Sequence, residues 1–338
     1  PDVSNFMATS FKPHEYYRRF CESPREDTDD KQGSVLIENY WLRSWTHDLY
    51  LWYSQVNYSN PAFFNDKIEY FNTLKTNALT PSGNPVDRFH FIYDTDEWEL
   101  MSESGVKTGY GMSHATTNSS LPRQVYVQYV ELNSPAFNAG IRRGTRIIEV
   151  DGADLLNGNT QSDFDTFNAG LFPEGNNELH SFVMLHPGDT SNSSFSMTST
   201  AVTTSPVLMS DVKTTTTGKV GYLVFNSHVA ASEQQLVDVF TEFEAEGVSD
   251  LILDLRYNGG GLLAIASQIA YMITGAADTA GKIFESLIFN DQHQVLSPIT
   301  GIELEPLPFI DETVGFSAAR GQALPSLGLR KVYILTGA

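Results

Sequence analysis

Two glycine-rich stretches carry the clearest chemical potential in this chain. One is Leu251-Ile-Leu-Asp-Leu-Arg-Tyr-Asn-Gly-Gly-Gly261, an apolar run that ends in successive glycines just ahead of a helical pattern. Glycines that open a helix at the C-terminal end of a strand leave several backbone N–H groups unpaired, and such groups stabilise an anion. The other is Gly109-Tyr-Gly-Met112. There the glycines let the chain turn its amides toward a negative charge, and the residue that follows can wall an apolar pocket.

Side-chain chemistry is harder to find. No G-x-S-x-G elbow exists. Ser317, in Gly315-Phe-Ser-Ala-Ala-Arg320, has no base paired with it in sequence, and His228, in Phe225-Asn-Ser-His, is a lone histidine after a strand and reads as structural. The single cysteine, Cys21, excludes an internal disulfide and a thiolate cluster, and the 8 histidines form no short-range ligand pair. No metal and no cofactor are therefore expected. Gly259, Gly261 and Ala264 also satisfy the G-x-G-x-x-A spacing of a dinucleotide fold. That fold needs an acidic residue ending a second strand about twenty positions on; Asp278 has the distance, but Thr274–Gly281 reads as a loop.

The elements that must position these stretches are legible around them. Gly218–Phe225 reads as a strand, and a helix follows whose capping box is Ser232 with Gln235 and whose apolar face is Leu236, Val239, Phe240 and Phe243. The run into Asp254 completes a βαβ unit, which favours a parallel or mixed sheet. Downstream of Gly109, strands are expected at Val125–Val130, Arg146–Val150, Phe182–Leu185 and Phe195–Val202. Asp151-Gly152 and Pro187-Gly-Asp189 supply turns, and a short helix has Ser134 as cap, Pro135 in its first turn and Gly140 past its end. A Thr-rich connector spans Thr203–Gly218.

Upstream the texture is helical. Ile37, Trp41, Trp45, Leu49 and Trp52 share one face, and a second helix is marked by Asn60 as cap, Pro61, and then Phe64, Ile68, Phe71 and Leu74. Both stripes read as core, Ser23–Gln32 as solvated loop, and Thr80–Pro85 as a break. The domains expected are a helical region over 1–104, a small β domain over 105–205 and an α/β core over 206–338, in a multidomain α+β chain.

With 338 residues and 41% apolar content the chain can bury a large core. Its 21 Lys and Arg against 41 Asp and Glu give a net charge of −20, which makes nucleic acid and acidic membranes poor partners. No apolar run is long enough for an embedded membrane segment.

Two resemblances sharpen this reading. Ser134-Pro-Ala-Phe-Asn-Ala-Gly-Ile-Arg-Arg-Gly-Thr-Arg-Ile-Ile-Glu-Val-Asp-Gly152 resembles the PDZ domain of peptidases, with Thr145 standing where an acidic residue is commoner. The Gly221-Tyr222 strand, the helix and the Asp-Leu-Arg-x-Asn-Gly-Gly-Gly run resemble the core of carboxyl-terminal processing peptidases, also called tail-specific proteases. Together the likeness covers about residues 105–338. It implies a crotonase-like core and a serine-type endopeptidase that selects unfolded or tail-exposed proteins through its PDZ domain. Gly109, Tyr110, Gly111 and Met112 would then bind the terminal carboxylate, and Gly259 or Gly260 would donate to the oxyanion. Asp254 and Arg256 would hold the loop in shape.

In that family a strand like Lys331–Ala338 runs into the nucleophilic Ser, with a Lys base one helix later. Both are expected just beyond Ala338, so the chain as given should bind peptide ends without cutting them. The alternative is a non-catalytic PDZ scaffold on the peptidase fold. The chain opens on Pro1, so an upstream piece that could have held an export signal is expected. The resemblance implies a periplasmic or cell-surface location in a bacterium. The partners implied are peptide or protein C-terminal tails.

Overall fold

In the computed structural model, which describes residues 11–95 and 105–337, Ser34 starts the first long helix, α1 (Val35–Leu49), by accepting from the Ile37 N–H at 3.4 Å. The buried face of α1 is Asn39, Leu42, Arg43 and Thr46, not the tryptophan stripe; Trp45 is 38% exposed. The shift has a polar cause. Asn39 donates its side-chain amide to the carbonyls of Pro61 and Phe64, so that side chain is drawn inward to satisfy a loop.

The second upstream helix is broken in two. Asn60 caps only a single 3-10 turn, Pro61–Phe63, and the chain restarts as α2 (Lys67–Thr73) under Asp66, whose carboxylate accepts from the Ile68 N–H at 2.7 Å. Two strong caps six residues apart compete, and each opens its own helix. Tyr70 and Leu74 join Leu42 and Val56 in a small core, while Ile68 faces solvent.

The described residues up to Tyr93 form one compact unit together with Ile283–Leu307; Asp94–Lys282 and the residues from Pro308 onward form the other. The segment 283–307, assigned by sequence to the 206–338 core, thus packs with the helical unit. It does so by serving the end of α1, where carbonyls lack helical partners. Asn290 donates to Asp48 O at 2.7 Å and to Tyr50 O at 3.2 Å. The boundary expected near residue 104 lies outside the described residues.

The second unit contains two main sheets. In the first, β1 (Val106–Gly109) leads into β2 (Met112–Asn118), β3 (Gln124–Val130), the short helix α3 (Pro135–Asn138), β4 (Arg146–Val150), α4 (Gln161–Leu171), β5 (Leu179–Leu185) and β6 (Ser193–Thr198). The strands order β2-β3-β4-β5-β6, all antiparallel, with β2 at the edge. Ser134 accepts from the Phe137 N–H to cap α3, and Gly140 follows at φ +76. The run expected at Phe195–Val202 is split, because Ser199 donates its N–H to Glu178 O and its hydroxyl to Gly175 O. The chain resumes as β7 (Thr200–Thr203), which pairs with β1.

The Thr-rich connector is instead a strand, β8 (Val207–Thr215), in a hairpin with β9 (Gly218–Phe225). Threonine suits a pleated, half-buried surface, and Val207 and Val212 pack on the core. Then come α5 (Ser232–Ala245), β10 (Val248–Asp254), α6 (Leu263–Thr274) and β11 (Val332–Leu335). The second sheet runs β8-β9-β10-β11, with β9, β10 and β11 parallel.

The capping box expected at Ser232 does not form. Ser232 donates to Val229 O and Gln235 accepts from the Val207 N–H, since a turn over 229–232 already supplies acceptors for the first helical amides. Leu223, Phe225, Leu251 and Leu253 pack against Leu236, Phe240 and Phe243 of α5 and Ile265 and Ile269 of α6, each burial contributing about 2 kcal/mol.

Candidate functional site

The Gly109–Met112 loop opens the edge strand β2 and borders a groove of about 390 Å³. Tyr110 O accepts from the Ala136 N–H at 2.9 Å, and Gly111 O accepts from the Glu131 N–H at 2.7 Å. In a trans peptide the carbonyl and the next amide point opposite ways, so the N–H groups of Gly111 and Met112 face away from the domain body. Gly111 lies at φ +74, and a Cβ there would meet Ser134 Oγ at 2.6 Å, so only glycine fits.

Of the four residues assigned to the loop, Tyr110 has a different part. It is 3% exposed, donates its hydroxyl to Gly170 O at 3.0 Å and packs in the core, where burial pushes its pKa up. It anchors the loop to α4 instead of facing the groove with its ring.

The far wall of the groove is Leu171, Phe172 and Pro173, at the C-terminal end of α4. His114 of β2 also lines it, 5.2 Å from the Phe172 ring, with its pKa lowered by burial. An edge strand with one unpaired side, a helix end facing it and outward amides at one end can take an extended peptide as an added strand. The sequence reading missed α4 and with it this wall. The signal was present in Thr160-x-x-Asp163, which forms a reciprocal capping box.

The second stretch lies elsewhere, between β10 and α6. Gly259 and Gly260 do not line the groove, and they differ from each other. The Gly260 N–H donates to Asn258 Oδ1 at 2.7 Å, whereas the Gly259 N–H has no acceptor among the described residues and a Cβ at Gly259 would meet nothing within 4 Å. Asn258 organises the loop: its Nδ2 donates to Phe225 O at 2.9 Å, and its Oδ1 also lies 2.9 Å from His228 Nδ1. Burial lowers the pKa of His228 although that pairing works against it, and the pairing commits one ring nitrogen. Nothing in residue type alone singled out Asn258.

Asp254 and Arg256 brace the same loop. Asp254 is 1% exposed and accepts from Arg256 Nε at 2.8 Å and from the Tyr222 hydroxyl at 2.7 Å. The next parallel strand ends alongside, with Leu335 in register with Asp254 and the Leu255 N–H donating to Leu335 O at 2.8 Å. The turn after β11 therefore starts beside the glycine loop. Tyr257 links the two sites, its ring 5.4 Å from Tyr129, which lines the groove.

Ser317 is engaged elsewhere, accepting from the Gln234 N–H at 3.0 Å. Asp278 lies in a short helix, Ala276–Thr279, and ends no strand. Among the described residues no group of three or more His, Cys, Asp or Glu could hold a metal, and no helix is long and apolar enough to cross a membrane.

Residues 219–283, spanning β9 through the glycine loop and α6, match the model of peptidase family S41. A chloroplastic C-terminal processing peptidase of Tetradesmus obliquus is 29% identical over 189 residues, which cover 52% of this chain and 39% of that protein. The chain thus spans about two fifths of the length of that relative. A crystal structure described as an S41 protease of Bacteroides fragilis superposes with a TM-score of 0.55 at 20% identity, covering 88% of this chain and 71% of that one, so the two share a fold. A photosystem II D1 C-terminal processing protease superposes with a TM-score of 0.43 at 17% identity, over 90% of this chain and 75% of that one.

Proposed function

We propose, from the match of residues 219–283 to peptidase family S41 and the likeness to a C-terminal processing peptidase, that the chain is the PDZ-linked part of a serine-type endopeptidase that selects substrates by their C-terminal tails. The observation that carries this reading is the convergence of β11 on the glycine loop. A serine on the turn after β11 would face the open Gly259 N–H, which would receive the oxyanion as the serine adds to the peptide carbonyl. A lysine downstream would take the serine proton and return it to the leaving amine. Gly260, its amide held by Asn258, would shape the loop.

The tail would add antiparallel to β2, its carboxylate on the Gly111 and Met112 amides and its last side chain against Leu171 and Phe172. An extracytoplasmic compartment is part of the proposal. The test uses the natural full-length protein with an unfolded substrate whose C-terminus is free or amidated. Gly111→Val is expected to raise KM at least about tenfold with kcat retained. Gly259→Pro, which removes one donor, is expected to lower kcat about a hundredfold. Tail binding with no cleavage by the full-length protein would instead establish a peptide-binding scaffold.

A further inference from the structure

The helical unit holds a second cavity, of about 400 Å³, remote in sequence from the glycine loops. Arg43 of α1 lines it and is 3% exposed, yet its guanidinium meets no carboxylate and donates to no acceptor among the described residues. Its neighbours are rings, with the Phe11 centroid at 3.8 Å and the Tyr58 centroid at 4.7 Å. Rings attract a cation but accept none of its five N–H donors in the way a carboxylate does. A buried guanidinium that borders an open space with no hydrogen-bond acceptor beside it can take an anionic ligand there.

The acidic residues at the cavity are already committed. Asp48 takes His14 Nε2 at 3.2 Å on one oxygen and His293 Nε2 at 2.9 Å on the other, and Glu15 shares His14 at 3.2 Å. They leave Arg43 without a counter-ion, and with only Lys12 of the same lining to offset the two carboxylates, the charge around Arg43 disfavours a dianion such as phosphate. Burial lowers the pKa of His47, which also lines the space, so it adds no full positive charge at neutral pH. The volume falls at the small end of the range for organic ligands.

We propose that this cavity binds a small organic monocarboxylate, held by the Arg43 guanidinium with its apolar part against Phe11 and Pro13. The site is independent of the peptidase reading. Calorimetric titration of the whole chain with sodium benzoate, against phosphate and chloride at matched ionic strength, is the direct test. One saturable benzoate site is expected, weakened about tenfold or more in Arg43→Met, where a charge-assisted pair is lost.

Arg43→Lys keeps the charge but loses the planar fork, so it is expected to weaken benzoate several-fold. This second variant decides the question should Arg43→Met fail to fold. Absence of saturable benzoate binding, phosphate binding as tight as benzoate, or benzoate affinity unaltered in Arg43→Lys would each overturn the assignment.

Discussion

Asp254 sits buried at the end of β10 with donors from Arg256 and from the Tyr222 hydroxyl, and its electrostatics can be read with a sign. Burial alone would raise its pKa, but the hydrogen bonds from Arg256 and Tyr222 outweigh it and hold the carboxyl at about 2. A folded pKa below the unfolded one contributes stability that is full above about pH 4 and is lost as pH falls from about 4 toward 2. At neutral pH the contribution is about 2 kcal/mol. Asp254→Asn is therefore expected to lower the unfolding free energy read from urea titration at pH 7 by that amount, with the gap to wild type narrowing between about pH 4 and pH 2. A gap of constant size over that range would mean that the charge of Asp254 does not stabilise the fold.

Elements were legible where one local signal stood alone. The Ser134 and Pro135 start of α3 and the strands Arg146–Val150 and Gly218–Phe225 all appear as expected, because no neighbour competes for those residues. Where tertiary partners intervene, the sequence misled: Gln235 is taken by β8 instead of a capping box, and Asn39 is pulled inside α1 by loop carbonyls. The candidate site divides in the same way, since the glycines were readable from their type while Asn258 and the α4 wall depend on long-range placement. Glu233 is the strongest case of hidden long-range order. From the first turn of α5 its carboxylate accepts from the N–H groups of Val314, Phe316, Ser317 and Ala318 and from Gln268 Nε2. Burial raises its pKa, but these bonds prevail and lower it. Glu233→Gln is expected to cost about 2 kcal/mol, because an amide oxygen cannot replace a charged acceptor for so many donors. Hydrogen exchange should then speed at residues 314–318 ahead of the rest of the unit; uniform acceleration would show that Glu233 does not hold this loop in particular.

At the scale of the molecule, the two compact units rest on cores of unequal size. The helical unit buries Leu42, Val56, Tyr70 and Leu74, whereas the other unit has a cluster of Phe and Leu from β9, β10, α5 and α6 and a second cluster within its antiparallel sheet. Stability grows with the apolar area removed from water, so the helical unit is expected to open first and the chain to depart from two-state unfolding. The tryptophans allow this to be seen. Three of the four tryptophans, Trp41, Trp45 and Trp52, lie in the helical unit and dominate the emission; the fourth, Trp98, falls in the stretch assigned to the other unit. Tryptophan emission should consequently shift at a lower urea concentration than the far-ultraviolet circular dichroism signal, which β-strands and helices of both units dominate. A segment such as Ile283–Leu307, inserted between residues of the other unit in sequence, would lose its packing in that first step, and its amides should become exchangeable together with those of α1. Coincident transitions by both probes would show instead that the two cores melt as one cooperative body.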